Sequence, residues 1–258
     1  MKTRITLLFS LVVAGGALAA CDSSPVTSSS IGDVQVLAVR AEPAGVYPGQ
    51  AISLTALVAS PVENDPDVTV TWYNCQYATF TECAEASDLE VLGTGTNYSM
   101  VVPASAQPGD NLALWLDAKK DGEVERALKA VPIVDPSVAP NQNPNITSLS
   151  WMVKGTHTAS TTVAPGGQLD MMLEAVPAPA EIYFDSNENA DETVQVRTYT
   201  TGGVITDPSG TGASGALYFT APSTTGVYGN WTVVVDGRGG VAWAKGWITV
   251  VNSNGGAS

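Results

Sequence analysis

Histidine is nearly absent from this chain, cysteine is scarce, and bases are outnumbered by acids. The 258 residues hold one histidine, three cysteines and 11 lysines plus arginines against 25 aspartates plus glutamates. Each shortage excludes something. A zinc site draws several ligands from Cys and His, and this pool is too small to supply them. A serine-hydrolase triad needs its histidine beside a nucleophile held in a strained turn. His157 lies in the polar run Lys154-Gly155-Thr156-His157-Thr158, and no Gly-x-Ser-x-Gly occurs anywhere. A net charge of −14 repels phosphate backbones, which argues against nucleic acid as a partner. Long helical periodicity is missing too. No segment carries an extended 3.6-residue apolar stripe, and after the first twenty residues no apolar run is long enough to span a bilayer.

What is present begins with an address. Met1-Lys2-Thr3-Arg4 is a short basic start, an apolar run follows from Ile5 to Ala20, and it stops at Leu18-Ala19-Ala20-Cys21. A basic start, a short apolar stretch and small residues before a cut make a secretory signal. The four residues 18–21 resemble the bacterial lipobox. That resemblance implies cleavage before Cys21, acylation of its sulfur, and anchoring to a lipid bilayer through the acyl chains. Asp22 resembles the inner-membrane retention signal of enteric bacteria, a rule that varies between groups, so the outer membrane is the first expectation. Residues 21–32, rich in Ser, Thr and Pro, read as a flexible tether. Loss of residues 1–20 removes Lys2 and Arg4 and no acid, leaving 9 bases, 25 acids and a net charge of −16. Acylation of Cys21 leaves Cys75 and Cys83, which an oxidising compartment would join in a disulfide stapling a loop.

The rest reads as strands. Ile52, Leu54, Ala56 and Val58 are apolar at alternate positions and can share one face, as can Val68, Val70 and Trp72, then Leu112, Leu114 and Leu116, then Trp231, Val233 and Val235. Pro48-Gly49, Pro108-Gly109, Asp121-Gly122, Pro165-Gly166, Asp207-Pro208 and Asp236-Gly237 punctuate them as turns. The pattern also repeats. Pro48-Gly49-Gln50-Ala51-Ile52-Ser53-Leu54 aligns with Pro165-Gly166-Gly167-Gln168-Leu169-Asp170-Met171, and Asp121-Gly122 with Asp236-Gly237, so the offset stays near 116 residues. The expected organisation is a signal peptide at 1–20, the tether at 21–32, domains at 33–135 and 146–252, a Pro/Asn-rich linker at 136–145 and a disordered tail at 253–258. About seven strand signals per unit, with no helix to cover a sheet, predict an all-β protein of two tandem antiparallel β-sandwiches. The Pro-Gly turns, Trp72, the closing Asp-Gly hairpins and Tyr218-Phe219-Thr220-Ala221-Pro222 with Gly226-Val227-Tyr228 resemble bacterial immunoglobulin-like or PKD-like domains. No cysteine sits where antibody domains place their cross-sheet bridge.

Few residues invite chemistry. Gly210-Thr211-Gly212-Ala213-Ser214-Gly215 matches Gly-x-Gly-x-x-Gly, but that motif needs a helix after it, and a strand-like run follows. Paired acids could serve a glycosidase, yet two small sandwiches rarely form the cleft it needs. Asp185, Asn187, Asn189 and Asp191 alternate like the first ligands of a calcium loop. Ala190 and Val196 then stand where such a loop wants glycine and glutamate, so an acidic solvated loop is the simpler reading and any calcium would be structural. Trp115 and Tyr73 point away from the neighbouring core rows, so each either packs under a loop or a neighbouring domain, or contacts a partner. The sequence therefore reads as a non-enzymatic, membrane-anchored envelope or surface module binding a protein or glycan. The alternatives are a structural scaffold subunit and an accessory module or weak hydrolase acting on polysaccharide.

Overall fold

A computed structural model describes residues 30–62, 67–74, 83, 89–153, 156–158, 161–176, 182–184, 189–191, 194–206, 209–211 and 214–252. The chain is built of strands, and no helix among the described residues is long and apolar enough to cross a membrane.

In the first half the strands are β1 (Gln35–Glu42), β2 (Ala51–Ala59), β3 (Thr69–Asn74), β4 (Glu90–Thr94), β5 (Asn97–Val101), β6 (Asn111–Lys120) and β7 (Glu123–Pro132). They form two antiparallel sheets, β1-β2-β5 and β4-β3-β6-β7. Between the sheets lie the alternating rows read from the sequence. Ile52, Leu54 and Ala56 of β2 meet Val70 and Trp72 of β3 and Leu114 and Leu116 of β6. Trp72 is fully buried; its indole donates to the Gly95 carbonyl at 2.7 Å and its ring stacks on Tyr98 at 6.1 Å. Lys120 and Glu123 face each other across the two-residue turn Asp121-Gly122, whose φ values are 50° and 89°. Positive φ at both positions is the primed hairpin turn that Asp-Gly favours, because its twist matches that of the strands.

The second half carries β8 (Asn145–Val153), β9 (Thr156–Thr158), β10 (Thr161–Val163), β11 (Gln168–Val176), β12 (Ile182–Phe184), β13 (Asn189–Asp191), β14 (Gln195–Thr200), β15 (Val204–Thr206), β16 (Ser209–Thr211), β17 (Ser214–Thr220), β18 (Gly226–Val235) and β19 (Val241–Val250). Two five-stranded sheets, β10-β19-β18-β14-β16 and β15-β17-β11-β8-β9, enclose the core, and β12 pairs with β13. The repeat seen in the sequence reappears as topology. In each half a short segment after the first strand runs parallel to the last one: Val46 beside Ile133, and β10 beside β19.

The interior of the second half departs from the first. Trp151, Leu169, Leu217, Phe219 and Ile248 pack together, and Val194, Val196 and Val234 form a separate cluster. Along β14 and β18 the inward row is otherwise polar: Thr198, Thr200, Asn230 and Thr232 are buried. Trp231, Val233 and Val235, the more apolar row, turn the other way.

Candidate functional site

The row turned away from the second core packs on the first half. Tyr199, Trp231, Val233 and Val241 form one buried cluster with Ile31, Leu37, Ala38, Leu57 and Ala59, and Val235 and Trp243 pack against it. Apolar sheet faces that would otherwise sit open to water are covered here, and removing such surface from water is the main stabilising term in association. Ile31, ahead of β1, joins in: its amide donates to the Thr200 carbonyl at 2.7 Å.

Polar groups fix this junction. Asp236, 5% exposed, accepts through Oδ1 from the amides of Arg238 and Gly240, each at 2.8 Å, and through Oδ2 from Asn141 Nδ2 at 2.8 Å. Arg238 Nη2 donates to Asn141 Oδ1 at 2.6 Å. Lys129 of β7 reaches across to the Gly239 carbonyl at 2.6 Å. Asn143 Nδ2 donates to the Ala41 carbonyl and to Glu42 Oε2, while its Oδ1 accepts from the Val241 amide at 2.8 Å. The connection between halves therefore bonds to both through Asn143. A cavity of about 40 Å³ remains beside Leu37, Leu128, Tyr199 and Val233. That is far below the roughly 300 Å³ at which small-molecule sites begin.

The outward face of the β14-β18-β19 layer can be laid out by register. Arg197, Val233 and Trp243 form one row, Tyr199, Trp231 and Lys245 the next, and Gly229 stands opposite Trp247. Arg40 of the first half lies over the Trp243 ring, 5.0 Å from its centre. Trp247 meets Trp231 edge to face at 6.1 Å. A side chain at Gly229 would collide with both rings, so glycine is what lets the two indoles lie over this strand. Val227, beyond Gly229 on the same face, is 61% exposed.

The residues singled out in the sequence fall elsewhere. Cys21, Cys75, Asp185 and Asn187 lie outside the described residues. Asn189 and Asp191 sit on β13, paired with Phe184 and Ile182. Among the described residues no group of three or more His, Cys, Asp or Glu could hold a metal. His157 pairs with Met152 on β9. The Gly-rich run 210–215 joins β16 to β17, and the strand that follows gives it no helix N-terminus for a phosphate.

Of the two readings of Trp115, packing under a loop or contact with a partner, the structure shows packing. Trp115 is 1% exposed, packed with Cys83, and Tyr73, Leu89 and Leu128 lie against the pair. A ring so covered offers no surface to a partner, and Tyr73 is half-buried in the same packing. The Trp115 indole donates to buried Asp117 at 2.8 Å, and Asp117 also pairs with Lys119 at 3.5 Å and Arg126 at 3.3 Å. In the sequence the junction residues Asn141, Asn143 and Asp236 read only as linker and turn. Their only signal was a proline-rich stretch with more asparagine than a passive spacer needs.

The chain matches no described protein family and no curated protein. Among solved structures it is similar to the D0-D1 domain of intimin (13% identity, 83% of this chain and 99% of that one, TM-score 0.28). It is also similar to fibronectin(III)-like modules of Clostridium thermocellum CbhA (12% identity, 90% and 96% covered, TM-score 0.29). A third is the N-terminal Ig1-2 module of the Drosophila receptor protein tyrosine phosphatase DLAR (13% identity, 85% and 99% covered, TM-score 0.31). At such values these likenesses bear on neither activity nor partner.

Proposed function

We propose that this protein is a non-enzymatic lipoprotein of the bacterial envelope, cut before Cys21, acylated there, and presenting two immunoglobulin-like domains to a protein or glycan partner. The domains are residues 33–135 and 146–252. The observation that carries the reading is the junction. Its buried apolar cluster and the bonds around Asp236 and Asn143 hold the two halves in one arrangement, which suits presentation of a fixed surface. The lipobox-like residues 18–21 supply the anchor and the tether at 21–32 the reach, ending where Ile31 packs into the junction. A Cys75–Cys83 disulfide would tie down the segment over Trp115, consistent with Cys83 being buried against that ring. A scaffold role inside an envelope assembly is the second reading, favoured by the burial of the second half's aromatic face against the first half.

The test is fractionation of cells carrying the Cys21→Ser form. The wild type is expected in membranes at high salt and the variant in the soluble fraction, equally folded. A variant that stays membrane-bound would overturn the anchor. Protease added to intact cells then separates a surface display from a periplasm-facing component.

A further inference from the structure

The first half covers only part of the outward face of the β14-β18-β19 layer. The uncovered part runs along β19 beyond Trp243, as Lys245, Trp247 and Thr249, bordered by Val227 of β18 and Thr162 of β10. Lys245 and Thr162 are exposed, and Trp243 and Trp247 are half-buried. Among the described residues neither Lys245 nor the Trp247 indole N–H has a hydrogen-bond or ion-pair partner. We propose that this strip is a binding site for an acidic polysaccharide, with a sugar ring stacked on Trp247 and its carboxylates held by Lys245 and Arg40.

Three observations support the assignment. The first is composition. The chain holds 11 bases in 258 residues; Arg40, Arg197 and Lys245 lie on this one face, while Lys129 and Arg238 are bonded into the junction beside it. Two acids of the junction are engaged: Asp236 is buried inside its own loop and Glu42 accepts from Asn143. A positive strip on an acidic protein concentrates an anion locally, where the rest of the surface would repel it. The second is the aromatic geometry. Tryptophan and arginine dominate binding energy wherever surfaces are read, and three of the six tryptophans share this face. The C–H face of a pyranose packs on an indole, and the absence of a side chain at Gly229 leaves room for the Trp247 ring over this strand. The third is donor excess. The indole N–H, the Lys245 ammonium and the Arg40 guanidinium are donors, and Thr162 and Thr249 add hydroxyls. A polysaccharide bearing hydroxyls and carboxylates supplies the acceptors.

The inference rests on the envelope-module reading and deepens it by naming the partner's class. Its test needs no membrane. Purified Cys21→Ser protein is run in native gels containing alginate, a carboxylated polysaccharide, or dextran, a neutral one. Retardation by alginate alone is expected, weakening as salt rises. Trp247→Ala is expected to weaken it by at least about tenfold. Lys245→Glu, at an exposed position, is expected to abolish the salt-sensitive part without changing the melting curve. Equal migration in both gels, or unchanged retardation in both variants, would overturn the site while leaving the anchor result untouched. Equal retardation by dextran would overturn the role of the cations.

Discussion

The two halves share a strand plan but not an interior. In the first, the space between sheets is apolar throughout, from Val36 and Val39 on β1 to Val131 on β7. In the second, the strands that correspond to the first half's central pair turn Thr198, Thr200, Asn230 and Thr232 inward. Thr198 and Thr232 bond each other at 3.3 Å, and Thr200 bonds the Gly202 and Gly229 carbonyls. Among the described residues Asn230 finds no partner for either side-chain atom, and neither does the Trp151 indole N–H, which sits beside Gly246 in the facing position. The apolar row that would have filled this core is turned to the junction. The difference teaches that the second half is stabilised as much by what lies outside its sandwich as by what lies within. The two halves are therefore not interchangeable beads.

Three substitutions sharpen or break that contrast. Trp72→Ala empties the centre of the first core and is expected to cost about 3–5 kcal/mol, enough to unfold that half in a thermal melt followed by circular dichroism. Asp236→Ala leaves the Asn141 amide and two backbone amides without their acceptor. Hydrogen bonds to a charged group are worth about 1.5–3 kcal/mol. Calorimetry should show the second half melting earlier while the first is little changed. A uniform shift of both halves would erase the distinction between them. Asn230→Leu replaces an unpartnered buried amide by an apolar group of similar size. Buried unsatisfied polar groups cost about 1–3 kcal/mol in mutational data, so this variant is expected to raise the melting temperature. A fall would mean that Asn230 is satisfied after all, and the second core would then resemble the first.

Much of the fold could be read from the alternation. The rows at Ile52, Val70 and Leu114 face the core as their period predicts, and Asp121-Gly122 forms the expected turn. What alternation cannot supply is which row faces inward when both rows are buried. On β18 the period of two correctly groups Trp231 with Val233 and Val235, but that row meets the other half rather than its own core. Trp115 shows the same limit: alternation left packing and partner contact both open, and Cys83 packs on that face. The junction itself was illegible because its bonds join residues about a hundred positions apart, such as Asn141 with Asp236 and Asn143 with Ala41. No local signal marks such a pairing. The cation-bearing aromatic strip was equally hidden, since Arg40 and Trp243 meet only through the fold.

The central claim is that the two halves form one fixed body. It is tested most directly by placing spin labels at Val91 and Val204, exposed positions on β4 and β15, in the Cys21→Ser protein and measuring the distance between them. A single narrow distance distribution, broadened by Asp236→Ala, is the predicted result. A broad distribution in the protein without that change would show the halves moving independently and would contradict the account.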